Sequence, residues 1–184
     1  PAGPAPETDR SDLELWLVLA WCEHVTARQE PGLLDTAVPY ADGPEAPVWE
    51  HLQAACAWVR DEIRTGPHGL VRILAGDINP CLDGIGPAGR GESVFSTALA
   101  CAGLNRLVPL ARLRGDPGFA EHLAKWHREL DLAVGEAFDG RWFRRAYTDA
   151  GRPVGGSADR RLFLDVQAWA VIGRCGSAAQ RQAA

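Results

Sequence analysis

Apolar residues along this chain gather into four long stretches with helical spacing, separated by loops dense in Gly, Pro and Asp. In the first stretch Leu13, Leu15, Trp16, Leu17, Val18, Leu19, Trp21 and Val25 occupy nearly every face of a helix that runs to about Gln29. A helix apolar all round is expected to be buried all round, so residues 12–28 are predicted to pack centrally. Ser11-Asp12-Leu13-Glu14 has the form of a capping box, which predicts Ser11 accepting from a first-turn amide while Glu14 reaches back. Pro31-Gly32 ends the helix, and residues 32–46 read as a loop.

The second stretch, from about Pro47 to Arg64, places Val48, Trp49, Leu52, Ala55, Cys56, Val59 and Ile63 on a single stripe. Leu70–Leu74 is a short strand-like run, followed by a glycine-dense loop from Gly76 to Gly91. Glu92 opens a third helix to about Arg114 with Val94, Phe95, Ala98, Leu99, Ala102 and Leu107 inward, and Pro109 is expected to kink or split it. Asp116-Pro117 pairs an N-cap with a proline at the first helical position. That fourth helix buries Phe119, Leu123, Trp126, Leu130, Ala133 and Ala137 and closes at Asp139-Gly140. Arg141–Gly156 alternates like a hairpin, and Asp165 is read as the cap of a last helix through Ile172. Four long helices, one short helix and at most two minor strand pieces define an all-α chain. Long loops inside compact domains are usually functional, which directs attention to Gly76–Gly91.

Composition narrows the classes. The 184 residues suit one domain or part of a larger one: 1–9, Pro-rich and polar, read as a disordered lead-in, and 10–184 as the domain. A net charge of -5 offers no basic field for a phosphate backbone, so nucleic acid is excluded as a partner. No apolar run in the sequence approaches the ~18 residues of a membrane span, and the first ten residues carry no apolar signal segment. Five widely spaced cysteines without a C-x-x-C pair read as free thiols of a reduced cytoplasm. The absence of methionine fits either removal of an initiator or a piece of a longer protein.

Few residue patterns carry chemistry. Gly84-Ile85-Gly86-Pro87-Ala88-Gly89 matches G-x-G-x-x-G, but no strand feeds it directly and Pro87 interrupts the turn, so no dinucleotide cofactor is expected. His122 and His127 are five apart and do not share a helical face, and no metal is expected. Asp77, Asp83 and Glu92 flank the glycine-dense loop with Arg90 near by. Carboxylates beside flexible backbone suit a cleft that accepts sugar hydroxyls, although caps and turns use the same residues.

At this loop the sequence resembles a known family. Pro67-His68-Gly69-Leu70, Gly76-Asp77-Ile78-Asn79-Pro80-Cys81-Leu82-Asp83 and Gly89-Arg90-Gly91-Glu92-Ser93-Val94 look like the central signature of the glycoside phosphorylases of glycoside hydrolase family 94. Phe138-Asp139-Gly140-Arg141-Trp142-Phe143-Arg144-Arg145-Ala146-Tyr147 resembles the family's W-D-G-x-W-Y/F-x-R-A-Y. Phe163-Leu164-Asp165-Val166-Gln167-Ala168-Trp169 resembles its F-L-N-x-Q-S-W, and Ser11-Asp12-Leu13-Glu14-Leu15-Trp16-Leu17 its S/N-D-D-P-L-W-L. The resemblance covers about residues 8–175.

It implies an (α/α)6 toroid of paired antiparallel helices with the site where inter-helix loops gather. With about five helices, this chain would be part of one. The implied chemistry is inverting phosphorolysis of a β-glucosidic bond, with inorganic phosphate as co-substrate attacking the anomeric carbon while one carboxylic acid protonates the leaving oxygen. That acid ends the family's D-W-N-D, and the matching residue here is Pro80, which has no proton to give. The aromatic wall of the motif is replaced by Ile78, and the second Asp of S-D-D by Leu13. The family's phosphate-binding His and Thr-Gly residues fall beyond Ala184. Asp12, Asp77, Asn79, Arg90, Glu92 and Gln167 remain as substrate-binding candidates, each with a structural role as the alternative, and Asp83 is the carboxylate available to replace the acid. Three readings stay open: part of a phosphorylase, inactive alone; a sugar-binding pseudoenzyme; or a helical module completed by a second copy or by the rest of a parent chain.

Overall fold

The computed structural model describes residues 10–184; the expected disordered lead-in, 1–9, lies outside the described residues. Six helices dominate: α1 Leu13–Arg28, α2 Val48–Trp58, α3 Val94–Leu113, α4 Pro117–Glu136, α5 Leu164–Ile172 and α6 Ala178–Ala183. They pack as α1 with α2, α3 with α4 and α5 with α6, and α1 and α5 both pack on α3. This is the arrangement of a partial (α/α)6 toroid. The β content is small. β1 (Ala37–Pro39) pairs with β2 (Glu45–Pro47), and β4 (Ala146–Tyr147) lies between β3 (Glu92–Ser93) and β5 (Pro153–Val154). Leu70–Leu74 forms only single bridges, to Thr65, Glu92 and Arg10, rather than a strand.

The stripe of α2 is buried at every predicted position, and the helix extends past Trp58 by one π turn, Val59–Ile63. Asp116 caps α4 by accepting from the Phe119 amide, with Pro117 in the first turn. The Arg141–Gly156 hairpin is present in the register Ala146↔Val154 and Tyr147↔Pro153. Its start is held by Asp139, which accepts from the amides of Arg141, Trp142 and Ser157. Burial alone would raise this carboxyl; the amide donors outweigh it and hold its pKa at about 2.

Four local expectations are corrected. The central helix is α3, buried from Val94 through Leu104 and again at Leu107, Leu110 and Ala111, whereas α1 leaves Leu13, Leu17 and Ala20 exposed. Small residues such as Ala98, Ala100, Ala102 and Gly103 let neighbours close on α3 from several sides, and α1 has no such seam. By length and composition α3 could cross a membrane; here it is sheathed by the other helices. Pro109 does not split α3, which runs from Val94 to Leu113 with the proline ring on an exposed position where it displaces no packed neighbour. The capping box does not form: Asp12 is the N-cap, with no side-chain bond to a first-turn amide, Ser11 pairs with the Ser96 hydroxyl at 3.0 Å, and Glu14 Oε2 is buried without a partner. Asp165 lies inside α5 after Phe163, and its second oxygen accepts from Arg145.

Candidate functional site

The first turns of α1, α3 and α5 lie side by side. Trp16 of α1, Phe95 of α3 and Trp169 of α5 contact one another at centroid separations of 5.1–6.4 Å, with Trp16 edge-on to Trp169. Helix N-termini carry partial positive charge and unpaired amides, so three converging starts favour carboxylates around them. Asp12, Asp77 and Asp165 occupy that region, the last two bonded to Arg145 and Asp12 close enough to Asp77 to feel its charge.

Arg145 organises the interior. The alternation Phe143, Arg145, Tyr147 puts it on the buried face of its extended segment, and neither its side chain nor that of Asp77 is exposed. Its Nη2 donates to Asp77 Oδ1 at 2.7 Å, Nε to Asp165 Oδ2 at 3.1 Å and Nη1 to Ser93 Oγ at 3.3 Å, while the guanidinium lies over the Phe95 ring. Ser93, the N-cap of α3, donates in turn to Asp77 Oδ2 at 2.8 Å, and the Asn79 amide donates to Asp77 Oδ1. Both oxygens of the buried Asp77 carboxylate have donors, which is the condition for tolerating such a pair. Asp77 is thus committed to protein partners.

Asp12 differs. It is 2% exposed; Oδ2 accepts from the Trp16 indole at 2.9 Å, and Oδ1 is buried without a partner. Burial raises its pKa, assisted by Asp77 and opposed by the Trp16 bond. An unpaired buried acceptor beside an aromatic edge is a place for a ligand hydroxyl or a water.

Glu92 is 1% exposed and accepts from the amides of His68 and Leu70 and from His68 Nδ1 at 2.5 Å. The imidazole stacks on Tyr147 at 3.9 Å. A Cβ on Gly66 would come within 2.5 Å of the Glu92 carboxyl carbon, so the Gly66–Leu70 loop wraps directly on this carboxylate. Gln167 accepts from the Phe143 amide and donates to the carbonyls of Phe143 and Phe163, tying α5 to the hairpin.

The motif loop itself is outward. Ile78 is 53% exposed, Asn79 caps a 3-10 turn at Pro80–Leu82 through the Cys81 amide, and Asp83 is exposed near Arg10. A cleft of about 410 Å³ is lined by Leu74, Ala75, Asp83, Gly86, Pro87 and Gly89. Gly86 and Gly91 cross backbone to backbone, with a Cβ on Gly91 falling 2.7 Å from the Gly86 Cα. Arg90 is exposed and anchored on Asp149, whose carboxylate also accepts from the Ala88 and Gly91 amides. Those amides lower the Asp149 pKa.

The structure therefore joins Asp77 and Asn79 through one hydrogen bond, brings Asp12 close to Asp77, and gives Glu92, Arg90 and Gln167 separate surroundings. Arg145, Asp165, His68 and Asp149 were not among the candidate site residues, although the first three stand in the motif blocks and Asp165 was expected as a helix cap. The available signal for Arg145 was an arginine on the apolar face of an alternating run, which demands a buried carboxylate.

Comparison with known proteins agrees with this geometry. The profile of the Glycosyl hydrolase 94 superfamily, catalytic domain, matches residues 5–184. Solabiose phosphorylase of Paenibacillus borealis is 32% identical over 166 residues, covering 88% of this chain and 21% of that protein. N,N'-diacetylchitobiose phosphorylase of Vibrio proteolyticus is 30% identical over 171 residues, covering 88% and 20%. Cyclic beta-(1,2)-glucan synthase NdvB of Rhizobium meliloti is 29% identical over 184 residues, covering 88% and 6%. The chain spans about a fifth or less of the length of these relatives. With four motif blocks in order and a partial helical toroid whose helix starts converge on them, the chain belongs to the glycosyl hydrolase 94 superfamily, through its catalytic domain.

Proposed function

We propose that this chain is a sugar-recognising part of a glycoside phosphorylase catalytic domain, taking β-linked gluco-disaccharides or oligosaccharides and carrying out no phosphorolysis by itself. The observation that carries this reading is Pro80, in the turn where the family resemblance expects the general acid. A positioned acid contributes roughly 100- to 10,000-fold, and proline supplies none of it. Asp77 does not replace it, being saturated by Arg145, Ser93 and the Asn79 amide. The unpaired but buried Asp12 Oδ1 and the half-buried Asn79 are the groups left to meet sugar hydroxyls, and inorganic phosphate would be the co-substrate of the intact reaction. Five free cysteines, four of them buried, support placing the chain in the reducing cytoplasm.

Incubation with cellobiose or chitobiose plus phosphate should release no sugar 1-phosphate, and Pro80→Asp with Ile78→Trp should not restore release in this 184-residue chain. Release by the unmodified chain that disappears in Asp83→Asn would show that a displaced acid carries the reaction.

A second reading, a helical module covered by another copy or by further toroid helices, is favoured by one observation. Leu13 and Leu17 on α1 and Leu164, Val171 and Ile172 on α5 are each at least 40% exposed.

A further inference from the structure

On another face, the end of α2 and the middle of α4 enclose a groove of about 340 Å³ that shares no side chain with the site above. Trp126, 8% exposed, lies in its apolar floor with Val59, Val71 and Leu130. Arg60, Thr65, His122, Lys125 and Glu129 supply its polar lining. One wall is built from unusual backbone. The last turn of α2 is π rather than α, and Arg64 follows at φ 65°, ψ 178°, a region that residues with side chains rarely enter. That conformation is held by the Arg64 amide donating to the Val59 carbonyl and by Arg64 Nε donating to the Asp61 carbonyl.

The polar groups are of both signs and partly pre-positioned. Asp61 fixes the Arg60 guanidinium through Nε at 2.8 Å and Nη2 at 2.7 Å, and Lys125 stands 3.9 Å from Glu129. An anion in this groove meets Glu129, and finds Arg60 already paired with Asp61; a cation meets Arg60 and Lys125. A neutral polyhydroxylated molecule satisfies donors and acceptors together and lays its C–H face on the apolar floor. We propose that this groove is a second sugar-binding subsite, which takes a neutral gluco-oligosaccharide on the outside of the helical bundle. It rests on the proposed function for the gluco identity of the ligand and of the probe, and on the groove for its neutral, polyhydroxylated character.

Cellotetraose titrated into the 184-residue chain, followed by calorimetry and saturation-transfer NMR, tests it. Arg60→Ala and Glu129→Ala, both at exposed positions, are expected to weaken this binding by about tenfold each while leaving the thermal melt in place. Asp12→Asn should leave this component unchanged. Binding that is lost in Asp12→Asn and untouched by the groove variants overturns this inference and leaves the proposed function standing. Binding lost only in the groove variants supports the inference and removes support for Asp12 as a sugar ligand. Absence of saturable binding overturns both, and displacement of the saccharide by inorganic phosphate through Arg60 overturns the neutral-ligand assignment.

Discussion

Removing one member of a buried ion pair strands the other charge in the interior, at a cost of about 3–5 kcal/mol. Arg145→Met is expected to lose stability on that scale in urea denaturation, because Asp77 and Asp165 would both lose their cation. A loss below about 1 kcal/mol would contradict the network. Asp12 predicts the opposite sign. Burial raises its folded pKa above the ordinary value of 3.8, so its penalty is absent below the unfolded pKa and appears as pH rises through the folded one. Asp12→Asn keeps an acceptor for Trp16 and removes the charge. Its melting temperature should exceed the parent's at about pH 7, with the gap closing below about pH 4. Such a gain fits a site where stability is sacrificed for an unpaired acceptor.

Between elements, the contact of α5 with α3 depends on a close backbone approach. Gly173, just after α5, would place a Cβ 2.6 Å from the Ala98 carbonyl oxygen of α3. Its backbone angles, φ -73° and ψ -7°, suit any residue, so the obstacle is contact alone. Gly173→Ala is expected to destabilise by about 1–3 kcal/mol, the usual cost of overpacking, and to disturb the nearby Cys175 thiol. An unchanged denaturation midpoint would show that α5 can move off α3 freely. The Asn105 side chain spans the same junction by donating to the Gly173 carbonyl at 2.8 Å.

Across the whole molecule, α1 and α5 both pack on the buried α3 and each carries exposed apolar side chains, Leu13 and Leu17 on the first and Leu164, Val171 and Ile172 on the second. Exposed apolar stripes of this kind find partners. At micromolar concentration the isolated chain is expected to self-associate in light scattering, and Leu17→Glu with Leu164→Glu to shift it toward monomer. A monodisperse monomer in the unmodified chain would mean that these stripes are tolerated in water.

The sequence by itself determined what depends on local chemistry. The single stripe of α2, the Asp116-Pro117 start of α4 and the Asp149-Ala150-Gly151 hairpin follow from spacing, capping and turn preference, which act over a few residues. The motif blocks that carry the family resemblance were equally legible. Tertiary structure decided the rest. Apolarity on all sides marked α1 as central, yet centrality depends on neighbours, and the small residues of α3 won it. Ser11 was free to cap its own helix until Ser96, 85 residues away, offered a buried partner. Asp165 likewise turned from capping to Arg145. Candidate site carboxylates look alike in sequence, whereas folding sealed Asp77 and Glu92 inside complete hydrogen-bond sets and left Asp12 with one oxygen unpaired. The difference lies in which donors are carried past each carboxylate by segments remote in the chain, and spacing along the sequence holds no record of that.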